Sequence, residues 1–163
     1  MEFKEALQKA IEFEQKGRMI YEEAAGKTKN DAVAKLFEYL AEQEKMHEDW
    51  IRKYVDDQGI ELPENSKEDT KEFFKTTIGA FKEKIALSGD DISAYEQGMQ
   101  LETESYEYYK EHSEKAEDPT VKAFLKFLME QEQIHYDLLE QSKDYLSDPD
   151  LFFQRHEGWM FEG

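Results

Sequence analysis

The sequence predicts an all-α protein, a four-helix bundle with one long crossover between its second and third helices. Three observations predict it. Four long stretches place apolar residues at steps of three and four, the mark of a helix with one buried face. The 163 residues include only three prolines and eight glycines, too few for a turn-rich β fold. Residues 6–49 align without a gap on residues 94–137 after a shift of 88, so one helical hairpin occurs twice.

The first helix is expected from Glu2 to Lys27, and Asn30 is placed to cap a second one from Asp31 to about Asp57. The short breaks at 28–30 and 117–118 make antiparallel hairpins. Residues 58–89 form the crossover, opened by Gly59 and Pro63 and carrying a shorter helix around Thr70 to Lys84. Ser88-Gly89-Asp90-Asp91 interrupts the chain before the third helix, which runs from Asp91 to about Ala116. Asp118 followed by Pro119 supplies a cap and a first-position proline for the fourth, which reaches Leu146. The bundle thus covers 1–146 and leaves a tail over 147–163. Its Phe152, Phe153, Trp159 and Phe161 are expected to pack on the bundle or on a second subunit.

Composition narrows the function classes. The net charge of −18 argues against nucleic acid as a partner, because phosphate binding depends on clustered Lys and Arg. The acidity either serves solubility or concentrates cations around the molecule. There is no cysteine, which removes disulfides, thiolate metal sites and cysteine nucleophiles together. No apolar run approaches the roughly 20 residues of a membrane span, and the opening Met1-Glu2-Phe3-Lys4-Glu5 lacks a signal-peptide layout. A cytoplasmic protein is expected.

Written as seams of three and four, the first helix reads Phe3, Leu7, Ala10, Glu14, Gly17, Tyr21, Ala24. The second reads Val33, Phe37, Leu40, Glu44, His47, Ile51, Tyr54. The third reads Ile92, Tyr95, Met99, Glu102, Tyr106, Tyr109, and the fourth Val121, Leu125, Leu128, Glu132, His135, Leu139. Four glutamates and two histidines therefore fall near the middle of otherwise core-facing stripes. A buried carboxylate costs several kcal/mol even after relaxation, and no Lys or Arg stands at a facing seam position to offset it. Two divalent cations would cancel the four negative charges, with two neutral imidazoles completing the ligand sets. The repeat strengthens this reading, since Glu14 aligns with Glu102, Glu44 with Glu132 and His47 with His135. One Glu from each of two helices plus Glu-x-x-His from each of the other two is the arrangement of di-iron and di-manganese carboxylate bundles.

Around these six, Tyr21 and Tyr109 lie seven residues after the lone glutamates. They are either hydrogen-bond donors to the ligands, redox-active phenols or core packing. Asp49 and Asp137, two residues after each histidine, are expected to face solvent, and His112 and His156 to lie on the surface.

The motifs resemble one family closely. Ala-Ile-Glu-Phe-Glu-Gln-Lys-Gly-Arg-Met-Ile-Tyr at 10–21 and Leu-Ala-Glu-Gln-Glu-Lys-Met-His at 40–47 are repeated as Met-Gln-Leu-Glu-Thr-Glu-Ser-Tyr-Glu-Tyr-Tyr at 99–109 and Leu-Met-Glu-Gln-Glu-Gln-Ile-His at 128–135. Over nearly its whole length the chain resembles the erythrin domain of the rubrerythrins, a ferritin-like bundle. That resemblance implies two iron ions bridged by Glu44 and Glu132, with Glu14 and His47 completing one and Glu102 and His135 the other. It implies reduction of hydrogen peroxide or dioxygen with electrons from an external donor such as a rubredoxin-like protein, or ferroxidase chemistry as in ferritin relatives. A homodimer is expected. Glu and His ligands also admit manganese or a mixed pair. Two departures stand out. No cysteine is present for a rubredoxin module, and Ser105 stands where rubrerythrins carry an extra carboxylate. Glu104 and Glu107 flank that position off the seam, so the ligand set is nearer the symmetric one of bacterioferritins.

Overall fold

The computed structural model describes residues 2–56, 62–79, 87–148 and 152. Helix α1 spans Glu2–Lys27, α2 Asp31–Asp56, α3 Ser66–Phe73, α4 Gly89–Lys115 and α5 Pro119–Ser147. There is no strand among the described residues. The architecture is a ferritin-like bundle. Hairpins α1–α2 and α4–α5 lie together through α1 against α4, while the crossover helix α3 packs on α5.

The ends are set by the residues expected to set them. Asn30 Oδ1 accepts from the backbone N–H groups of Ala32 and Val33 at 2.9 and 3.1 Å, and Asp118 Oδ1 accepts from that of Thr120 at 2.8 Å. These bonds satisfy amides that the first turn leaves free. The start of α4 differs from expectation. Ser88 is its cap, accepting from the Asp91 backbone N–H at 3.0 Å, so Gly89 already belongs to the helix. The crossover helix also departs from 70–84. It begins at Ser66 and continues past Phe73 as a single π turn, Phe74–Ile78; residues 80–86 lie outside the described set. The early start buries Thr70, whose hydroxyl shares a 3.1 Å hydrogen bond with that of Tyr39.

The seams of α2 and α5 are buried at every position read from the sequence. That of α4 is not. Ile92 is exposed and Tyr106 only half-buried, and the covered stripe passes instead through Asp91, Tyr95, Gly98, Leu101, Glu102, Ser105 and Tyr109. Steps of three and four admit either path from Glu102, and contact with α1 selects this one. A β-carbon on Gly98 would lie 2.9 Å from the Tyr21 ring, so only glycine lets α4 approach there.

The apolar core is split in two. One cluster gathers Tyr21, Phe37, Leu40, Tyr95 and Leu139, and the other Leu7, Ile51, Tyr54, Tyr109 and Leu128. Phe152 is buried in the first, stacked on Phe74 and edge-on to Tyr145. The tail therefore reaches the bundle at that residue, while Phe153, Trp159 and Phe161 lie outside the described residues. Among the described residues no Lys or Arg is buried, and no helix is long and apolar enough to cross a membrane.

Candidate metal centre

Between the two apolar clusters lies a polar layer. Glu14, Glu44, His47, Glu102, Glu132 and His135 are each at most 2% exposed. On α2 and on α5 the glutamate and histidine are three residues apart and share a face. Nδ1 of His47 lies 2.7 Å from Glu14 and 3.4 Å from Glu132. Nδ1 of His135 lies 3.1 Å from Glu44 and 3.4 Å from Glu102. Each imidazole thus meets the lone glutamate of its own hairpin and the motif glutamate of the other. The two rings stack at 4.8 Å and 10°. Single ligand atoms of Glu44, His47, Glu132 and His135 all lie within 4.8 Å of one another and can hold a metal ion.

The electrostatics of the layer are those of crowded, buried carboxyls. Burial pushes the Glu44 carboxyl well above its ordinary range, and the nearby carboxylates of Glu14 and Glu102 push it further. Glu132 is raised in the same way, first by burial and then by Glu102 and Glu14. Glu102 is also pushed up by burial, but Glu132, His135 and Glu44 outweigh this and hold it down at about 2. Crowding of the buried carboxyls thus favours the protonated forms of Glu44 and Glu132. Polar groups are left over nonetheless. Nε2 of both histidines, Glu102 Oε2 and Glu132 Oε1 are buried without a hydrogen-bond partner, a costly state for such atoms. Two imidazoles and four carboxylates are nitrogen and oxygen donors suited to iron or manganese, and the leftover atoms fit that use.

The surrounding side chains support the layer across the hairpins. Tyr21 on α1 donates to Glu102 at 2.6 Å, and Tyr109 on α4 donates to Glu14 at 3.1 Å. Burial first, and then the nearby carboxylates, raise both phenols well above 10, so they remain protonated donors. Asp49 is exposed as expected, whereas Asp137 is half-buried and accepts from Gln133 at 2.9 Å. Neither orients a histidine. His112 is half-buried, with its ring 4.3 Å from that of Tyr108. His156 lies outside the described residues. Glu104 and Glu107 are exposed, while Ser105 is buried on the face of Glu102.

Two residues of the site escape sequence reasoning. A β-carbon on Gly17 would stand 3.2 Å from the Glu44 carboxyl and 3.1 Å from Leu101, so glycine keeps room for that carboxylate. The shift of 88 pairs Gly17 with Ser105, and two small residues three places after the lone glutamates were a legible signal. Trp50, three residues after His47 and so on its face, stacks on the His47 ring at 5.3 Å. The repeat hides it, because the equivalent position is Leu138.

Comparison with curated proteins and with solved structures gave no match. The family model for rubrerythrin matches residues 5–143, a span that contains all four long helices' central turns and the whole polar layer. The chain therefore belongs to the rubrerythrin family.

Proposed function

We propose that the chain is a non-haem di-iron oxidoreductase that reduces hydrogen peroxide or dioxygen with electrons from a separate donor. The observation that carries the reading is the buried layer of four carboxylates and two imidazoles with no buried Lys or Arg among the described residues. In this reading Glu14, Glu44, His47, Glu102, Glu132 and His135 are the ligands. Glu44 and Glu132 would be shared between the two ends, because each offers a carboxylate oxygen within 4.8 Å of both histidines. Glu14 with His47 and Glu102 with His135 close the two ends. Bound iron supplies the redox chemistry, and the protein supplies position and a dry surrounding. Tyr21 and Tyr109 fix the orientation of Glu102 and Glu14 by donating to them, as outer partners of metal ligands do. The two apolar clusters on either side exclude water. No cysteine of this chain can hold a rubredoxin-type iron, so the donor is external to these residues.

Ser105 favours a second reading, a ferroxidase or iron-buffering protein of the same superfamily. Its hydroxyl is neutral where the resemblance leads one to expect a carboxylate. Anaerobic loading with ferrous iron followed by separate mixing with peroxide and with air tests the pair. Two irons per chain and turnover of peroxide with an added one-electron donor support the first reading. Rapid iron oxidation without sustained peroxide turnover supports the second, and loading of fewer than two irons per chain removes both.

Ser105→Glu is expected to speed the reaction with peroxide at unchanged iron content. The position shares a face with Glu102 and is already buried, so a carboxylate there reaches the layer. A variant that holds two irons yet reacts no faster removes the significance attached to Ser105.

A further inference from the structure

Trp50, His47 and His135 form one continuous stack of rings. Trp50 lies 5.3 Å from His47 at 30°, and His47 lies 4.8 Å from His135 at 10°. Both histidines are fully buried, whereas Trp50 is half-exposed, with Phe127 packed against it at 5.3 Å. The stack therefore runs from the surface through both candidate ligand rings. It is one-sided, because the repeat places Leu138 where a second tryptophan would stand.

A second aromatic route leaves the layer through Tyr109, whose ring lies 5.9 Å from that of half-buried Tyr108. It is the poorer conductor of electrons. A phenol must give up its proton when oxidised, and the Tyr108 hydroxyl donates at 2.8 Å to the backbone carbonyl of Ala6, which cannot take a proton. An indole can lose one electron and keep its N–H.

We propose that Trp50 is a one-electron relay that the centre draws upon when the oxidant is dioxygen. The inference rests on the di-iron reading above. Reducing dioxygen to two waters takes four electrons and four protons. A ferrous pair held by the six ligands would supply two of the electrons. Trp50 supplies a third, leaving an indole radical cation, and an external one-electron donor supplies the fourth and then refills Trp50. The protons come from solvent. Peroxide needs only two electrons, which the iron pair already holds, so peroxide makes no demand on Trp50.

The test is freeze-quench electron paramagnetic resonance on the anaerobically iron-loaded, reduced protein mixed with dioxygen. The expected result is an organic radical whose signal narrows when the tryptophan is ring-deuterated. That radical should persist in Trp159→Phe, which removes the chain's other tryptophan, and be lost in Trp50→Phe, which keeps an aromatic ring on His47. Iron content should equal that of the natural protein in both variants, and peroxide in place of dioxygen should give little radical. Three outcomes overturn the proposal: the same radical in Trp50→Phe, equal radical yield with peroxide, or complete iron oxidation by dioxygen with no tryptophan radical in the natural protein. If the natural protein fails to take up iron, metal analysis shows that before any oxidant is added, and the di-iron reading falls with the relay.

Discussion

In the proposed di-iron centre, Glu44→Ala and Glu132→Ala should each cost both irons, whereas Glu14→Ala and Glu102→Ala should each cost one. The asymmetry follows from position. Glu44 and Glu132 each offer a carboxylate oxygen within 4.8 Å of a ring nitrogen of both histidines, so each reaches both ends of the layer. Each also meets the histidine of the opposite hairpin, Glu132 with His47 and Glu44 with His135. Removing a central carboxylate strips a ligand from both ends at once. Glu14, by contrast, meets His47, and Glu102 meets His135, so their loss leaves the other end complete. Metal analysis after anaerobic loading and gel filtration reads the outcome, with circular dichroism to establish that each variant remains helical. Four variants with equal iron content would refute the division into bridging and terminal ligands.

Removing both metals should lower the melting temperature at pH 7 by about 10–20 °C. A cation at 100 times its dissociation constant stabilises the native state by about 2.7 kcal/mol per site. For a chain of this size each kcal/mol moves the midpoint by about 2–4 °C. The difference should narrow toward pH 5. Glu44 and Glu132 have folded-state values raised above the ordinary 4.5, by burial and then by neighbouring carboxylates. Between 4.5 and those raised values the folded chain holds protons that the unfolded chain has released. The stability contributed by these two groups is therefore fully present below 4.5 and lost as pH rises through their folded values. Metal-free protein gains stability on acidification through that window, while the loaded protein must release protons to keep its metal and binds it less tightly. Calorimetry of both forms at pH 5, 6 and 7 measures the gap. A gap that stays constant or widens as pH falls contradicts the account, and so does a metal-free protein that melts with the loaded one at pH 7.

Most of the fold was legible in the chain because its signals are local. Asn30 and Asp118 bond amides two or three residues away, and the seams of α2 and α5 follow from a fixed helical pitch. The six residues of the polar layer were legible for the same reason, since the repeat sets Glu14, Glu44 and His47 against Glu102, Glu132 and His135. The path of the α4 face, the π turn after Phe73 and the early start of α3 were not, because they depend on what packs against them.

The same boundary runs through the site. By itself the sequence determined that four carboxylates and two imidazoles share one buried layer, since periodicity assigns a residue to a face whatever its partners. Which atoms meet was left to tertiary structure. Tyr21 serves Glu102 and Tyr109 serves Glu14, each across the hairpins, although spacing along the chain pairs each phenol with the glutamate of its own helix. Gly17 leaves room for Glu44 on the neighbouring helix, and Trp50 extends the histidine stack toward solvent. Such contacts join residues on separate helices or depend on a rotamer chosen in the packed core. The chain specifies them only through the docking of two hairpins, and that docking is where helical pitch ceases to be informative.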